Sequence, residues 1–372
     1  MIQGWWEPNP PEPISQMRAP LYARPMRGRI ATILGFVLFL LGLAPARADE
    51  VADFYRGKEL RLIIGASVGG GYDVYARAIA KHLSEHIPGN PIIVPQDMPA
   101  GGGIAAANSI YNVASRDGTV IGAIQNTVPF EPFFNNRQAQ FDAERFGWLG
   151  TPESEVALYL VWHTSKIQSL KDAQTREMIA GGAGAASTPV FYGRIFNQIL
   201  GLKARFVNGY PGQNEILLAM ENGEVEAMTS PFWSSLQTAR PEWIPKHLVR
   251  VLFQYGEKPL AELPGVPFAL DLITNEADKT LLRAASAPLV LGRPFAAPPD
   301  VPPERLAALR SAMMATFRDP AFLADCVAQR LDCSAPKSGE ELASLIRAAY
   351  AIPPDIRRRL IEIYQQGQGG QP

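Results

Sequence analysis

Two stretches of this 372-residue chain set small residues between an apolar run and the start of an amphipathic one. The first is Gly65-Ala66-Ser67-Val68-Gly69-Gly70-Gly71, running on into Tyr72 and Asp73; the second is Gly181-Gly182-Ala183-Gly184-Ala185-Ala186-Ser187, running on into Thr188. A strand that feeds such a loop and then a helix leaves backbone N–H groups unpaired at the positive end of the helix dipole. That is an anion site whatever the side chains are. Neither stretch contains Lys or Arg. A captured anion would therefore be held by amides and by the hydroxyls of Ser67, Tyr72, Ser187 and Thr188. The candidate ligand-binding residues are Ser67, Val68, Gly69, Gly70, Gly71, Tyr72 and Asp73 on one side, and Ala183, Gly184, Ala185, Ser187 and Thr188 on the other. The plainer alternative is that these glycines only allow tight strand-to-helix packing.

Sharper motifs compete for the same residues. Gly65-Ala66-Ser67-Val68-Gly69 is a literal G-x-S-x-G, which would make Ser67 the nucleophile of a secreted hydrolase. Such a serine needs strands and an oxyanion-hole loop before it, whereas this one follows the first strand, and none of the four histidines lies in a late catalytic loop. His82-Leu83-Ser84-Glu85-His86 matches H-x-x-E-H, but both histidines fall beside the apolar stripe of a helix, toward its solvated face, and no third zinc ligand is apparent. Gly182-Ala183-Gly184-Ala185-Ala186 approaches a dinucleotide fingerprint without the acidic residue that should follow it. The reading is a protein with no catalytic residue, no metal and no cofactor. Cys326 and Cys333 either close a short loop or stand as two buried free thiols; spacing leaves both open.

The elements that must position the loops follow from periodicity. A strand at 60–64, a helix at 72–87, a strand from 92, the turn Pro99-Ala100-Gly101-Gly102-Gly103, a helix at 104–113 and a strand at 119–124 make one α/β unit. The pattern restarts with a strand at 156–162 and a helix at 189–200, with Thr188 as N-cap, Pro189 at the first helical position and Gly201 as stop. Strands at 205–207, 225–229 and 249–254 and a helix at 215–221 complete it. Helices at 303–317, 320–330 and 338–349 could wrap back onto the first unit. Strands alternating with helices imply parallel sheets with right-handed crossovers. The expected fold is α/β with two lobes: residues 49–155 and 256–372 in lobe 1, residues 156–255 in lobe 2.

Composition sets outer bounds. Lys and Arg total 35 against 36 Asp and Glu, so the chain lacks the basic footprint of a nucleic-acid binder. The one long apolar run, 30–43, has fourteen uncharged residues, short of the ~20 needed to span a bilayer. It follows Arg18, Arg24, Arg27 and Arg29 and precedes Ala46-Arg47-Ala48, the order of a cleavable secretory signal peptide over residues 1–48. An uncleaved anchor is the alternative. Removing those residues takes five basic and two acidic groups and leaves a formal charge of −4.

Gly69-Gly70-Gly71-Tyr72-Asp73-Val74-Tyr75-Ala76-Arg77 resembles the G-G-x-x-D-x-x-A-R block of the Bug receptors, periplasmic solute-binding proteins of tripartite tricarboxylate transporters. The likeness continues through Met98-Pro99-Ala100-Gly101-Gly102-Gly103, Ser115-Arg116-Asp117-Gly118-Thr119, Tyr210-Pro211-Gly212 and Leu263-Pro264-Gly265-Val266-Pro267. The resemblance implies a type II periplasmic binding fold, two α/β lobes joined by crossing strands, that grips a ligand carboxylate between the first strand–helix loop of one lobe and its counterpart in the other. Tyr210, Gly212 and Ser230 join the second-lobe side of that site by motif. It also implies a non-enzymatic, monomeric receptor in the periplasm whose partners are a small organic carboxylate and membrane permease subunits; a signalling partner is the alternative. Tyr72, Trp162 and Trp233 depart from the family pattern as aromatic walls, which points to a larger or partly aromatic carboxylate. Asp73 either caps its helix or contacts the ligand.

Overall fold

Short apolar runs alternating with amphipathic stretches resolve into two separate mixed sheets in the computed structural model, which describes residues 46–66, 68–184 and 187–366. The expected leader therefore lies outside the described residues except for its last three, and so do Ser67 and Ala185. Among the described residues no helix is long and apolar enough to cross a membrane.

The first sheet contains Glu59–Ile64 (β1), Ile92–Asp97 (β2), Val120–Ala123 (β3) and Gly147–Thr151 (β4). The second contains Ala157–Trp162 (β5), Met178–Gly182 (β6), Ala204–Asn208 (β7), Ala227–Met228 (β8) and Val249–Tyr255 (β9). The chain then returns to the first sheet as Phe295–Ala297 (β10) and Lys337–Ser338 (β11), giving the orders β11-β4-β10-β3-β1-β2 and β7-β6-β8-β5-β9. Leu60, Leu62, Ile63 and Ile64 of β1 are all buried, as a strand covered on both faces requires. The parallel expectation holds for β2-β1-β3 and β7-β6-β8, each linked by helical crossovers. It fails at β5, β9 and β10, which run antiparallel to their neighbours because the chain changes sheets there instead of crossing over within one.

The sheets are joined by two passages, residues 152–156 between β4 and β5, and residues 256–294 between β9 and β10. The second passage carries the helices Glu276–Ala285 and Ala287–Leu291, whose Leu281, Leu282, Ala285 and Leu289 belong to the core over the second sheet. The last helix, Pro354–Gln365, does the same with Ile356, Leu360 and Ile363. Assigning all of 256–372 to the first lobe is thus corrected. These amphipathic helices turn their apolar stripes onto the second core, while Pro303–Thr316, Pro320–Gln329 and Gly339–Tyr350 pack on the first.

Two side-chain features fasten the first lobe. His82 is only 8% exposed, with Nε2 2.8 Å from Asp325 Oδ2, and His86 Nε2 lies 2.9 Å from Asp319 Oδ2. Instead of lying toward solvent, the pair clamps the helix Gly71–His86 to Pro320–Gln329; among the described residues no group of three His, Cys, Asp or Glu could hold a metal ion. Cys326, in the last turn of the same helix, forms a disulfide with Cys333 just beyond its end, the Cα atoms 6.4 Å apart.

Candidate functional site

In the first lobe, two glycine-bearing loops lie back to back at the ends of β1 and β2. Gly65 donates its N–H to Ala123 O (3.0 Å), and Gln125 Nε2 donates to Gly65 O (2.7 Å). Gly103 packs against that same carbonyl so closely that a Cβ would stand 2.7 Å from it, and its φ of +91° excludes a side chain in any case. With Gly101 and Gly102 also left-handed, the chain coils tightly before the helix Ile104–Asn112, whose N-cap Gly103 has no side chain to satisfy the first-turn amides.

In the second lobe, β6 ends at Gly182 and the helix Thr188–Leu200 begins six residues later. Its N-cap is Ser187, one residue before the expected Thr188, because Ser187 keeps an extended backbone (ψ 152°) and Thr188 is already helical. The Ser187 hydroxyl donates to Gly184 O (2.6 Å) and does not cap the helix. Here too the first-turn amides have no side-chain cap.

The glycine turn that precedes the first helix and the start of the second helix share a cavity of about 640 Å³. The first sheet's loops contribute Gly101, Gly102, Gln125 and Thr127; the second sheet's contribute Ala183, Ser187, Thr188 and the turn Pro211-Gly212-Gln213. This lies outside the carboxyl ends of the parallel strands, where open α/β sheets bind ligands. The remaining wall is apolar, with Phe130, Phe133 and Phe134 from the segment after β3, Phe191 and Tyr192 from the second-lobe helix, and Tyr364 from the last helix, completed by the aliphatic Ala284, Ala285, Pro288, Ala349 and Leu360. Phe134 and Tyr364 stack with centroids 4.4 Å apart. Among the described residues no Lys, Arg or His lines the cavity, and the one carboxylate, Glu131, accepts from Asn136 Nδ2 (2.8 Å) and the Tyr364 hydroxyl (3.3 Å).

The first glycine loop faces elsewhere. Gly69, Gly70 and Gly71 line a neighbouring cavity of about 730 Å³ together with Tyr75, Ser234 and Arg293; the two cavities meet at Gly212 and Gln213. The 67–73 loop and the 183–188 loop, expected to face one another, line different cavities here, and the glycine turn at 101–102 lines the one that holds Ser187 and Thr188. Asp73 explains part of this. It is 3% exposed, and its Oδ2 accepts the Gly69 N–H (2.7 Å) while Oδ1 holds Arg77 Nε (2.5 Å), which reaches on to Asp97 (2.7 Å). The positive end of this helix is thus already answered by a resident carboxylate, so Asp73 ties loop to helix. Burial, and then the charge of Asp73, push Asp97 above the usual carboxylate range against the pull of Arg77.

The other expected residues divide. Val68 is 74% exposed. The Tyr72 hydroxyl accepts the Asn126 N–H (2.9 Å). Tyr210 donates to Glu224 (3.3 Å) and Ser230, two residues after β8, is buried; neither lines the two cavities, whereas Gly212 lines both. Trp162 packs on Trp243 away from the cleft (centroids 5.1 Å apart), and Trp233 packs against the core around Leu158 and Leu160, so the expected aromatic walls come from other rings.

One cluster had no signal in the sequence. Arg293, 5% exposed, donates through Nη2 to Glu155 (2.8 Å) and Ser234 (3.3 Å), and its Nε lies 3.4 Å from Glu153. Its guanidinium lies over Tyr75 at 4.3 Å and Tyr72 at 5.0 Å. Glu153 and Glu155 sit on the first passage between sheets and Arg293 on the second, so the cluster lies where the lobes join. Burial, then the charge of Glu155, drive Glu153 well above its ordinary value despite Arg293. Burial works against the arginine's charge too, but Glu153 and Glu155 outweigh it and hold its pKa up.

No family model matches the chain. It is 25% identical over 246 residues to a UPF0065 protein of Cupriavidus necator, a match spanning 62% of this chain and 69% of that protein. A UPF0065 protein of Bordetella bronchiseptica is 27% identical over 185 residues, 48% of this chain and 52% of its own length; the chain thus spans about half of it. Among solved structures, a TctC solute-binding protein from Polaromonas superposes with a TM-score of 0.64 at 17% identity, covering 83% of this chain and 99% of that one. MatC from Rhodopseudomonas palustris, with bound malate, gives 0.58 at 16% (82% and 99% covered), and the periplasmic binding protein BugD gives 0.56 at 14% (84% and 99%). With its two mixed sheets, double passage and cleft at the strand ends, this chain has the fold of the TctC- and BugD-type solute-binding proteins.

Proposed function

We propose that this chain is a periplasmic receptor that captures a small organic carboxylate between its lobes and delivers it to the permease of a tripartite tricarboxylate-type transporter, without chemistry of its own. One observation carries the reading. A single cavity is rimmed by loops from the strand ends of both sheets, with the glycine turn 101–102 on one side, the uncapped start of the helix Thr188–Leu200 on the other, and no side-chain cation among the described residues. Amides at a helix start favour a negative charge and need no counter-ion. Malate in MatC supports the ligand class.

The residues that hold the carboxylate are Gly101, Gly102, Gln125 and Thr127 from one lobe and Ser187, Thr188 and Gly212 from the other. A ligand touching both rims favours the closed arrangement only by its differential affinity for it. Delivery then follows from the permease reading the closed surface. Residues 1–48 act as the export signal and are removed.

A thermal-shift screen of the purified protein against mono-, di- and tricarboxylates tests the reading. A true ligand at about 100 times its Kd adds ~2.7 kcal/mol of stability. A protein that no carboxylate stabilises, or that hydrolyses esters through Ser67, is not this receptor.

A further inference from the structure

We infer that the captured solute is an aryl monocarboxylate, an inference that rests on the carboxylate-receptor reading above and narrows it. The cavity combines polar loop residues with an apolar wall in which rings are the largest side chains. The polar part is Gly101, Gly102, Gln125 and Thr127 from one lobe and, from the other, Ser187 and Thr188 at the helix start that receives a carboxylate. The apolar wall is built from Phe130, Phe133, Phe134, Phe191 and Tyr364 together with smaller aliphatic residues, and Glu131 is its one carboxylate among the described residues.

The second-lobe helix fixes the alignment. Thr188 opens it and Phe191 follows three residues later, so one turn presents amide donors and then a ring. Phe191 meets Phe134 edge to face (5.5 Å, 77°), and Phe134 stacks on Tyr364 (4.4 Å, 13°). A ligand ring whose carboxylate sits at the helix start enters a nest of faces and edges, the geometry aromatic pairs prefer.

A diacid fits this wall badly. Its second carboxylate would leave water for apolar surface, with no cation among the described lining residues and Glu131 repelling it. Size points the same way. About 640 Å³ lies well inside the ~300–1,000 Å³ typical of drug-sized ligands, and a four-carbon acid would leave most of the apolar wall wet.

Isothermal titration of the purified protein with benzoate, phenylacetate and cinnamate, against malate, adipate, cyclohexanecarboxylate and benzamide, tests the inference. At least one aryl acid binds about tenfold more tightly than malate, adipate and cyclohexanecarboxylate, the size of a good aromatic contact. Phe134→Leu removes most of that advantage and leaves the diacids within about twofold, while Glu131→Gln improves adipate more than benzoate. Malate or adipate binding as tightly as every aryl acid overturns the inference and leaves the carboxylate receptor standing. Cyclohexanecarboxylate matching the aryl acids overturns it in favour of a merely apolar ligand. Benzamide matching benzoate, or no acid binding at all, brings down the receptor reading as well.

Discussion

The two cavities that meet at Gly212 are built from the same local grammar, a strand, a glycine turn and a helix, yet they differ in how much of their charge is already spoken for. Around Gly69–Gly71, Asp73 consumes a loop amide, Arg77 and Asp97 extend that network, and Arg293 is enclosed by two glutamates and two tyrosine rings. Around Gly101–Gly102 and Thr188 the helix starts carry no side-chain cap and no acid in their first turns. A glycine loop is therefore not an anion site by composition alone. What separates the two is a carboxylate three residues into the helix, which answers the dipole from within.

The strongest test of the self-satisfied side removes its cation. Arg293→Ala leaves Glu153 and Glu155 buried without their cation, Glu155 keeping only the Ser234 hydroxyl, and breaking a buried pair in this way costs about 3–5 kcal/mol. Urea unfolding should show a loss of that size, since the cluster also joins both passages between the sheets. A loss below about 1 kcal/mol would mean the charges are solvated and the contrast is misdrawn.

On the open side, Thr188→Pro deletes a hydroxyl and a first-turn amide at once. The preceding Ser187 is already extended, as a following proline demands, and proline suits the first helical position. Stability should change by less than about 1 kcal/mol, while carboxylate affinity falls by roughly tenfold to a hundredfold, the weight of hydrogen bonds to a charged group. Unchanged affinity would take the second-lobe helix start out of the site.

Much of this organisation was legible beforehand. The tandem α/β units, the turn at 101–103 and the second-lobe loop all follow from apolar period and glycine position, which are local signals. What was not legible depends on distant partners. Nothing in Leu281, Leu282 and Ala285, or in Ile356, Leu360 and Ile363, says which of two similar cores they will cover. Arg293 reads as a solvated arginine until the passages bring Glu153 and Glu155 beside it. The choice between glycine loops turned on Asp73, where capping and ligand contact were both open until the Gly69 N–H was found on its carboxylate.

Acidity gives a smaller, graded test of the self-satisfied cluster. Glu153 is held well above the ordinary carboxylate value by burial and by Glu155. An acid with a raised folded-state pKa binds its proton in the native protein where the unfolded chain has lost it. Its contribution therefore favours folding at low pH and declines as pH rises from the unfolded value of about 4.5 through the folded one. For this group stability falls with rising pH, by at most about 1.4 kcal/mol per unit. Comparing urea midpoints of the wild type and Glu153→Gln between pH 5 and 8 isolates it: the variant should have the flatter profile. Parallel profiles would show that Glu153 titrates normally.

The smallest expected effect is the most discriminating for the comparison itself. Gly70 has φ −73° and ψ 161°, an ordinary extended conformation, so Gly70→Ala adds a methyl without backbone strain. It lies in the loop that the sequence alone would favour as the carboxylate grip, but it lines the neighbouring cavity. If the solute is held by the 101–102 turn and the Thr188 helix, its Kd should stay within about twofold in this variant, and stability should stay within about 0.5 kcal/mol, as for a surface change. A tenfold loss of carboxylate affinity in Gly70→Ala, with stability intact, would instead mean that the lobes close far enough to merge the two cavities around the ligand. The first loop would then belong to the grip after all, with Gly212 and Gln213 as the shared wall between its two halves.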